Sequence, residues 1–141
     1  MDQRLTFITL GVSDLEKSKA FYEKTLGWIP LKELEGTTFY KLNGIILSLF
    51  PSKELVKDAG VSGEGTGFRH FSLAHNVGSK EEVDSLFMEF KKKGVTIIKP
   101  PEKVFWGGYS GYIADVDGNL WEIAFNPFLE MDGEGNVLGH E

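Results

Sequence analysis

The chain has 141 residues, room for one domain or for two half-size modules, and no cysteine, which excludes a disulfide framework, a thiolate metal site and a cysteine nucleophile. Its formal net charge is −6 and its only arginines are Arg4 and Arg69, a balance that argues against nucleic acid as a partner. No apolar run approaches the roughly 20 residues needed to span a bilayer, and the Met-Asp-Gln-Arg start lacks the basic and apolar regions of a signal peptide, so a cytoplasmic protein without membrane contact is expected.

Residues 4–12 alternate, with apolar side chains on both faces, as in a strand covered on both sides. Ser13 and Glu16 have capping-box spacing and predict a helix start. Leu15, Tyr22 and Leu26 then recur at helical spacing with Phe21 beside them, and Gly27 stops the helix. Short strands are expected at 28–34, 37–43 and 45–50, with turns at Glu35-Gly36 and Asn43-Gly44. Residues 52–66 are rich in Lys, Glu, Ser and Gly and read as a surface linker with one helical turn at most.

The same order then recurs. Residues 68–77 predict a strand, and Ser79 with Glu82 forms a second capping box. Val83, Leu86, Phe87 and Phe90 make a core-facing helical stripe that Gly94 ends. Strands are expected at 96–98, 108–114 and 120–125, with Asp117-Gly118 turning into the last one. The tail, 127–141, is acidic and turn-rich, and its Asp132-Gly-Glu-Gly-Asn136 run reads as a turn because Val137 stands where a calcium loop needs glycine. Val12 matches Val77, Gly27 matches Gly94, and Asn43-Gly44 matches Asp117-Gly118. The expected fold is therefore α+β: two βαβββ modules, residues 4–51 and 67–126, within a single domain over 1–141.

Two segments carry a family resemblance. Residues 12–27, Val-Ser-Asp-Leu-Glu-Lys-Ser-Lys-Ala-Phe-Tyr-Glu-Lys-Thr-Leu-Gly, resemble the V-x-D-L-x-x-S-x-x-F-Y-x-x-x-L-G signature of the vicinal-oxygen-chelate superfamily, which includes glyoxalase I, bleomycin-resistance proteins and extradiol dioxygenases. Residues 115–122 are similar to its D-P-D-G-N-x-x-E segment, with Val116 where proline is usual, and the resemblance spans residues 4–126. It implies curved mixed sheets that enclose a cavity. It leaves the reaction open, because one fold carries many chemistries.

Metalloenzymes of that superfamily set ligands on the first and last strand of each module. Carried over by motif spacing, those positions are Phe7, Ser48, Ser72 and Glu122, of which only Glu122 is a good ligand. His70 shares strand parity with Ser72 and is the one residue expected to join Glu122 if a divalent metal binds. A catalytic zinc takes three protein ligands, so no metal or other cofactor is expected. Phe105-Trp106-Gly-Gly-Tyr109-Ser-Gly-Tyr112 resembles a stretch of an uncharacterised branch of the superfamily. Its aromatics separated by glycines could wall a ligand site, or mark bends in a curved sheet.

The resemblance thus implies a cavity for a small, partly apolar or aromatic molecule, touched by Phe7, Ser48, Phe50, His70, Ser72, Trp106, Tyr109 and Tyr112. The alternative is a lyase- or isomerase-type enzyme, glyoxalase-like, with Glu122 as proton-transfer base or sole retained metal ligand. A structural Glu122, hydrogen-bonded to a neighbour, stays open beside both. By analogy with members of this size, a homodimer is expected.

Overall fold

The alternating start of the chain becomes β1 (Phe7–Val12), which pairs in parallel with β3 (Ile46–Pro51), while β3 pairs antiparallel with β2 (Thr38–Lys41). The structure, a computed structural model, describes every residue except Asp2 and Glu33. Its contacts divide it into two units, Met1–Gly67 and Phe68–Glu141.

In the first unit, Leu10, Val12, Tyr40, Leu47 and Leu49 are buried on one side of the β1-β3-β2 sheet. The helix α1 (Leu15–Ala20) packs on β3 and runs straight into a π-helical turn over Phe21–Thr25, burying Phe21 and Tyr22. Its cap is Asp14 rather than Ser13: the Asp14 carboxylate accepts the Lys17 N–H at 3.1 Å. A carboxylate is the stronger acceptor beside the positive end of a helix.

The strand expected at 28–34 does not form among the described residues, and Glu33 lies outside them. Trp28 is drawn instead into the aromatic cluster, its ring 5.2 Å from Tyr22 and 5.6 Å from Tyr40. Pro30 has no N–H to give a ladder, and the segment reaches β2 through the Leu31 N–H to Phe39 carbonyl bond of 2.8 Å. The linker holds more order than its composition suggests. Residues Ser52–Ala59 form α2, a helix of two turns whose Leu55 and Ser52 rest against Gly11 of β1.

The second unit completes the βαβββ order: β4 (Leu73–Asn76), α3 (Lys80–Lys92), β5 (Thr96–Lys103), β6 (Tyr109–Ala114) and β7 (Leu120–Phe125). Its sheet runs β4-β7-β6-β5, with β4 and β7 parallel and the other pairs antiparallel. Thus the first and last strands of each module are parallel neighbours, β1 with β3 and β4 with β7. The Ser79–Glu82 capping box forms as read: the Ser79 hydroxyl accepts the Glu82 N–H and donates to the Glu82 carboxylate, both at 3.2 Å. Val83, Phe87 and Phe90 of α3 are buried, as are Ile113, Trp121 and Ile123 of the sheet.

Two boundaries move. Strand β4 is shorter than the 68–77 run: residues 68–72 join no strand, and His70 takes a left-handed φ of 62°. Strand β5 is longer than 96–98 and continues through Pro100 and Pro101. It lies at the sheet edge, where proline needs no ladder partner, and its register shifts twice to pass them.

Beyond β7 the tail forms a hairpin of β8 (Leu129–Met131) and β9 (Val137–His140). Its turn repeats the one between β6 and β7. Asp115 accepts from the Asp117 and Asn119 backbone and from the Asn119 amide, and Asp132 does the same with Glu134 and Asn136. Among the described residues no helix is long and apolar enough to cross a membrane.

Two predictions follow from the packing. A Cβ at Gly111 would stand 2.7 Å from the Lys99 carbonyl oxygen and 2.7 Å from the Phe87 ring, so Gly111→Ala must push either the bulged edge strand or α3 aside. Chemical denaturation should find it less stable by about 1–3 kcal/mol. Tyr40 is buried and donates to Glu23 at 3.2 Å, and burial, then the Glu23 charge, pushes its phenol pKa up. The folded state therefore holds this proton more tightly than the unfolded chain, whose tyrosine titrates near about 10. The associated stabilisation is full below that pH and is lost as pH rises toward the folded value. Ultraviolet titration should show Tyr40 ionising together with alkaline unfolding, and Tyr40→Phe should remove that step.

Candidate functional site

The register of the second sheet sets four side chains in one row. Ala74 of β4 is opposite Glu122 of β7, Glu122 is opposite Tyr112 of β6, and Tyr112 is opposite Lys99 of β5. The row lies on the face away from α3. Gly111 meets Phe87 of α3, and the Tyr109 hydroxyl donates to Asp84 of α3 at 2.5 Å, so the odd positions of β6 face the helix. By strand alternation Ser110, Tyr112 and Ala114 face the other way, with Glu122 and Ala124 beside them.

The row is electrostatically connected. Tyr112 and Glu122 share a hydrogen bond, and the Tyr112 pKa is raised, first by burial, then by the Glu122 charge and this bond, with Lys99 opposing. Lys99 also pairs with Glu102 at 2.6 Å. Ala74, Ser110, Ala114 and Ala124 are short neighbours on this face, while Leu120 and Lys99 stand on it as longer ones. A partly buried carboxylate held by a phenol is able to accept a donor from a ligand, or a proton from an activated carbon.

Trp106 borders this face. Its indole lies where a Cβ at Gly108 would project, and Gly108 continues the alternation of Ser110 and Tyr112 toward the Glu122 side. Gly108 is buried beneath it, and 37% of Trp106 stays exposed. The neighbouring Phe105 is fully exposed. The lack of a side chain at Gly108 admits the close Trp106 ring.

Other expected site residues lie elsewhere. Tyr109 belongs to the helix-facing side, because it is an odd residue of β6, and it is corrected out of the Glu122 set. His70 is exposed, outside β4, with its ring 4.9 Å from that of Phe68. The parity that joined His70 to Glu122 requires a strand through residue 70, and the left-handed backbone there breaks it. Ser72 is exposed and precedes the first residue of β4. In the first unit, Phe7, Ser48 and Phe50 share one sheet face, as their register requires. Phe7 stands edge-on to Phe39 at 5.5 Å, and the buried Ser48 has its hydroxyl 3.5 Å from that of Thr37.

These placements do not fit a catalytic transition metal. Phe7 has no donor atom, Ser48 has its hydroxyl 3.5 Å from that of Thr37, and Ser72 lies outside β4, which leaves Glu122 as the one strong ligand of the four. Among the described residues no three His, Cys, Asp or Glu side chains come together to hold an ion.

Sequence reasoning missed Lys99, because the strand expected there ended at residue 98. It also missed the Tyr112–Glu122 pairing, although the signal was present: the two residues are symmetric about Asp117 of the hairpin turn. The ring on Gly108 generates a prediction. Gly108→Ala must displace Trp106 from the sheet face, and acrylamide should then quench tryptophan fluorescence more strongly than in the parent protein.

Residues 4–123 match the profile of the Glyoxalase/Bleomycin resistance protein/Dioxygenase superfamily. The chain is 34% identical over 127 residues to the YraH protein of Bacillus subtilis (strain 168), an alignment covering 85% of this chain and 96% of that one. It is 27% identical over 121 residues to the metallothiol transferase FosB of Lysinibacillus sphaericus (strain C3-41), covering 86% and 81%. A crystal structure of a glyoxalase-related enzyme from Fulvimarina pelagi superimposes with a TM-score of 0.87 at 36% identity, covering 99% of each chain. The repeated parallel pairing, the motif at residues 12–27 and these likenesses agree, and the chain belongs to the glyoxalase/bleomycin resistance/dioxygenase superfamily.

Proposed function

We propose that this chain binds a small, partly apolar or aromatic molecule against the Glu122 face of its second sheet, with Glu122 as hydrogen-bond acceptor and without a resident metal. The observation that carries the reading is the Ala74–Glu122–Tyr112–Lys99 row, in which a carboxylate held by a phenol has a short neighbour in Ala74. Trp106 supports a flat or apolar body for the ligand, because its ring borders the same face. The ligand must bring an N–H, O–H or acidic C–H to Glu122, since an ionised carboxylate only accepts.

A second reading makes the same residue a base in a lyase- or isomerase-type reaction. In the isomerase form Glu122 takes a proton from carbon and returns it to another position of the same molecule; in the lyase form the bond to the neighbouring group breaks with its electron pair, and the proton passes to that departing group. The Tyr112 hydroxyl, already bonded to Glu122, favours this by holding the carboxylate in one orientation. The metallothiol transferase name of one relative suggests a third chemistry, and the donor set at Phe7, Ser48, Ser72 and Glu122 argues against it.

A thermal-shift screen of small aromatic and apolar ligands, run on the parent protein and on Glu122→Gln, tests the reading. Loss of a charge-assisted contact should weaken binding by roughly tenfold or more. Ligands that shift both proteins equally would overturn the role of Glu122. A ligand that Glu122→Gln still binds but no longer converts would establish the base reading. Titration of chelator-treated protein with nickel or zinc should show only weak uptake, and tight stoichiometric binding would overturn the metal-free part.

A further inference from the structure

We propose a second binding site in the Phe68–Glu141 unit, separate from the Glu122 face, that takes a small organic cation with an apolar body. A cleft of about 510 Å³ opens where β4 and β7 end, between the start of α3 and the tail hairpin. That volume lies within the roughly 300–1,000 Å³ of small-molecule sites. Glu122, Tyr112 and Trp106 take no part in its walls.

The chemistry of the walls selects the occupant. Val77, Phe125, Leu129 and Met131 supply an apolar lining. Among the described residues that line the cleft, Glu82 on the α3 side and Asp132 on the hairpin side are the only charged ones, and both are acidic. Asp132 is fixed by its bonds to Asn136 and Glu134. Glu82 is oriented by the Ser79 hydroxyl.

A helix start would ordinarily favour an anion. At α3 that preference is already met from within, because Ser79 takes the Glu82 N–H and both Glu81 and Glu82 place negative charge in the first turn. The charge at the cleft is therefore negative on both sides, beside an apolar lining, which favours a cation over an anion. The Phe125 ring adds a face against which an ammonium-bearing chain can lie.

The test is an amide-resolved NMR titration of the full chain with phenethylammonium, its neutral counterpart phenethyl alcohol, and phenylacetate. The cation alone should give saturable shifts, centred on Val77, Leu129 and Met131, that shrink with added salt. Glu82→Gln should weaken it roughly threefold, the usual scale for an exposed ion pair. Met131→Lys should abolish it. If Met131→Lys disturbs the hairpin, the Glu82→Gln comparison decides alone. Glu122→Gln should leave the titration unchanged, so failure of this site and failure of the Glu122 reading are read separately. Equal binding of all three probes, no saturable shift, or shifts centred on the Glu122 row would overturn the proposal.

Discussion

The parallel pairing of β4 with β7 is the constraint on which the second unit depends. The two strands are distant in sequence, and the chain reaches one from the other through α3 and two further strands. Once Leu73 is opposite Trp121, the period of two leaves no freedom: Trp121 and Ile123 turn to α3, and Glu122 turns away. A slip of one residue would bury Glu122 under the helix, at a cost of several kcal/mol for an unpaired carboxylate. The β6–β7 hairpin tightens the same register, since Asp115 binds the turn amides and fixes Tyr112 against Glu122.

The two faces of that sheet solve different physical problems. On the α3 side Gly111 lets Phe87 and the β5 backbone approach closely, and burial of Val83, Phe87 and Phe90 holds the layers together. On the other side the polar pair has short neighbours in Ala74, Ser110, Ala114 and Ala124. The tail hairpin reuses the loop chemistry of the β6–β7 turn, so one local device serves both a buried turn and an exposed one. The first unit repeats the parallel pairing of its first and last strands but not the complete module. Pro30 and the inward Trp28 remove the strand that would have followed its helix.

Family membership and site chemistry carry different weight. The profile match and the superposition speak for the whole chain and for its fold. The reaction depends on the donors at a few positions, and those to which the family resemblance points are in this chain a phenylalanine, two serines and one glutamate.

The sequence by itself determined the elements whose signals are local. The Ser79–Glu82 box, the Val83–Phe90 stripe, the Asp117-Gly118 turn and the 120–125 strand stand as read, because capping, periodicity and turn chemistry act over a few residues. It also singled out Glu122. Only the tertiary structure decided which neighbours Glu122 has. Edge position kept β5 in the sheet through two prolines and brought Lys99 into the row; the left-handed backbone at His70 took that imidazole out of the strand; and α3 claimed Tyr109. Each of these turns on strand pairing between segments far apart in the chain. Local propensity cannot encode that, because whether a residue may bend, bulge or lack an N–H depends on what lies beside it.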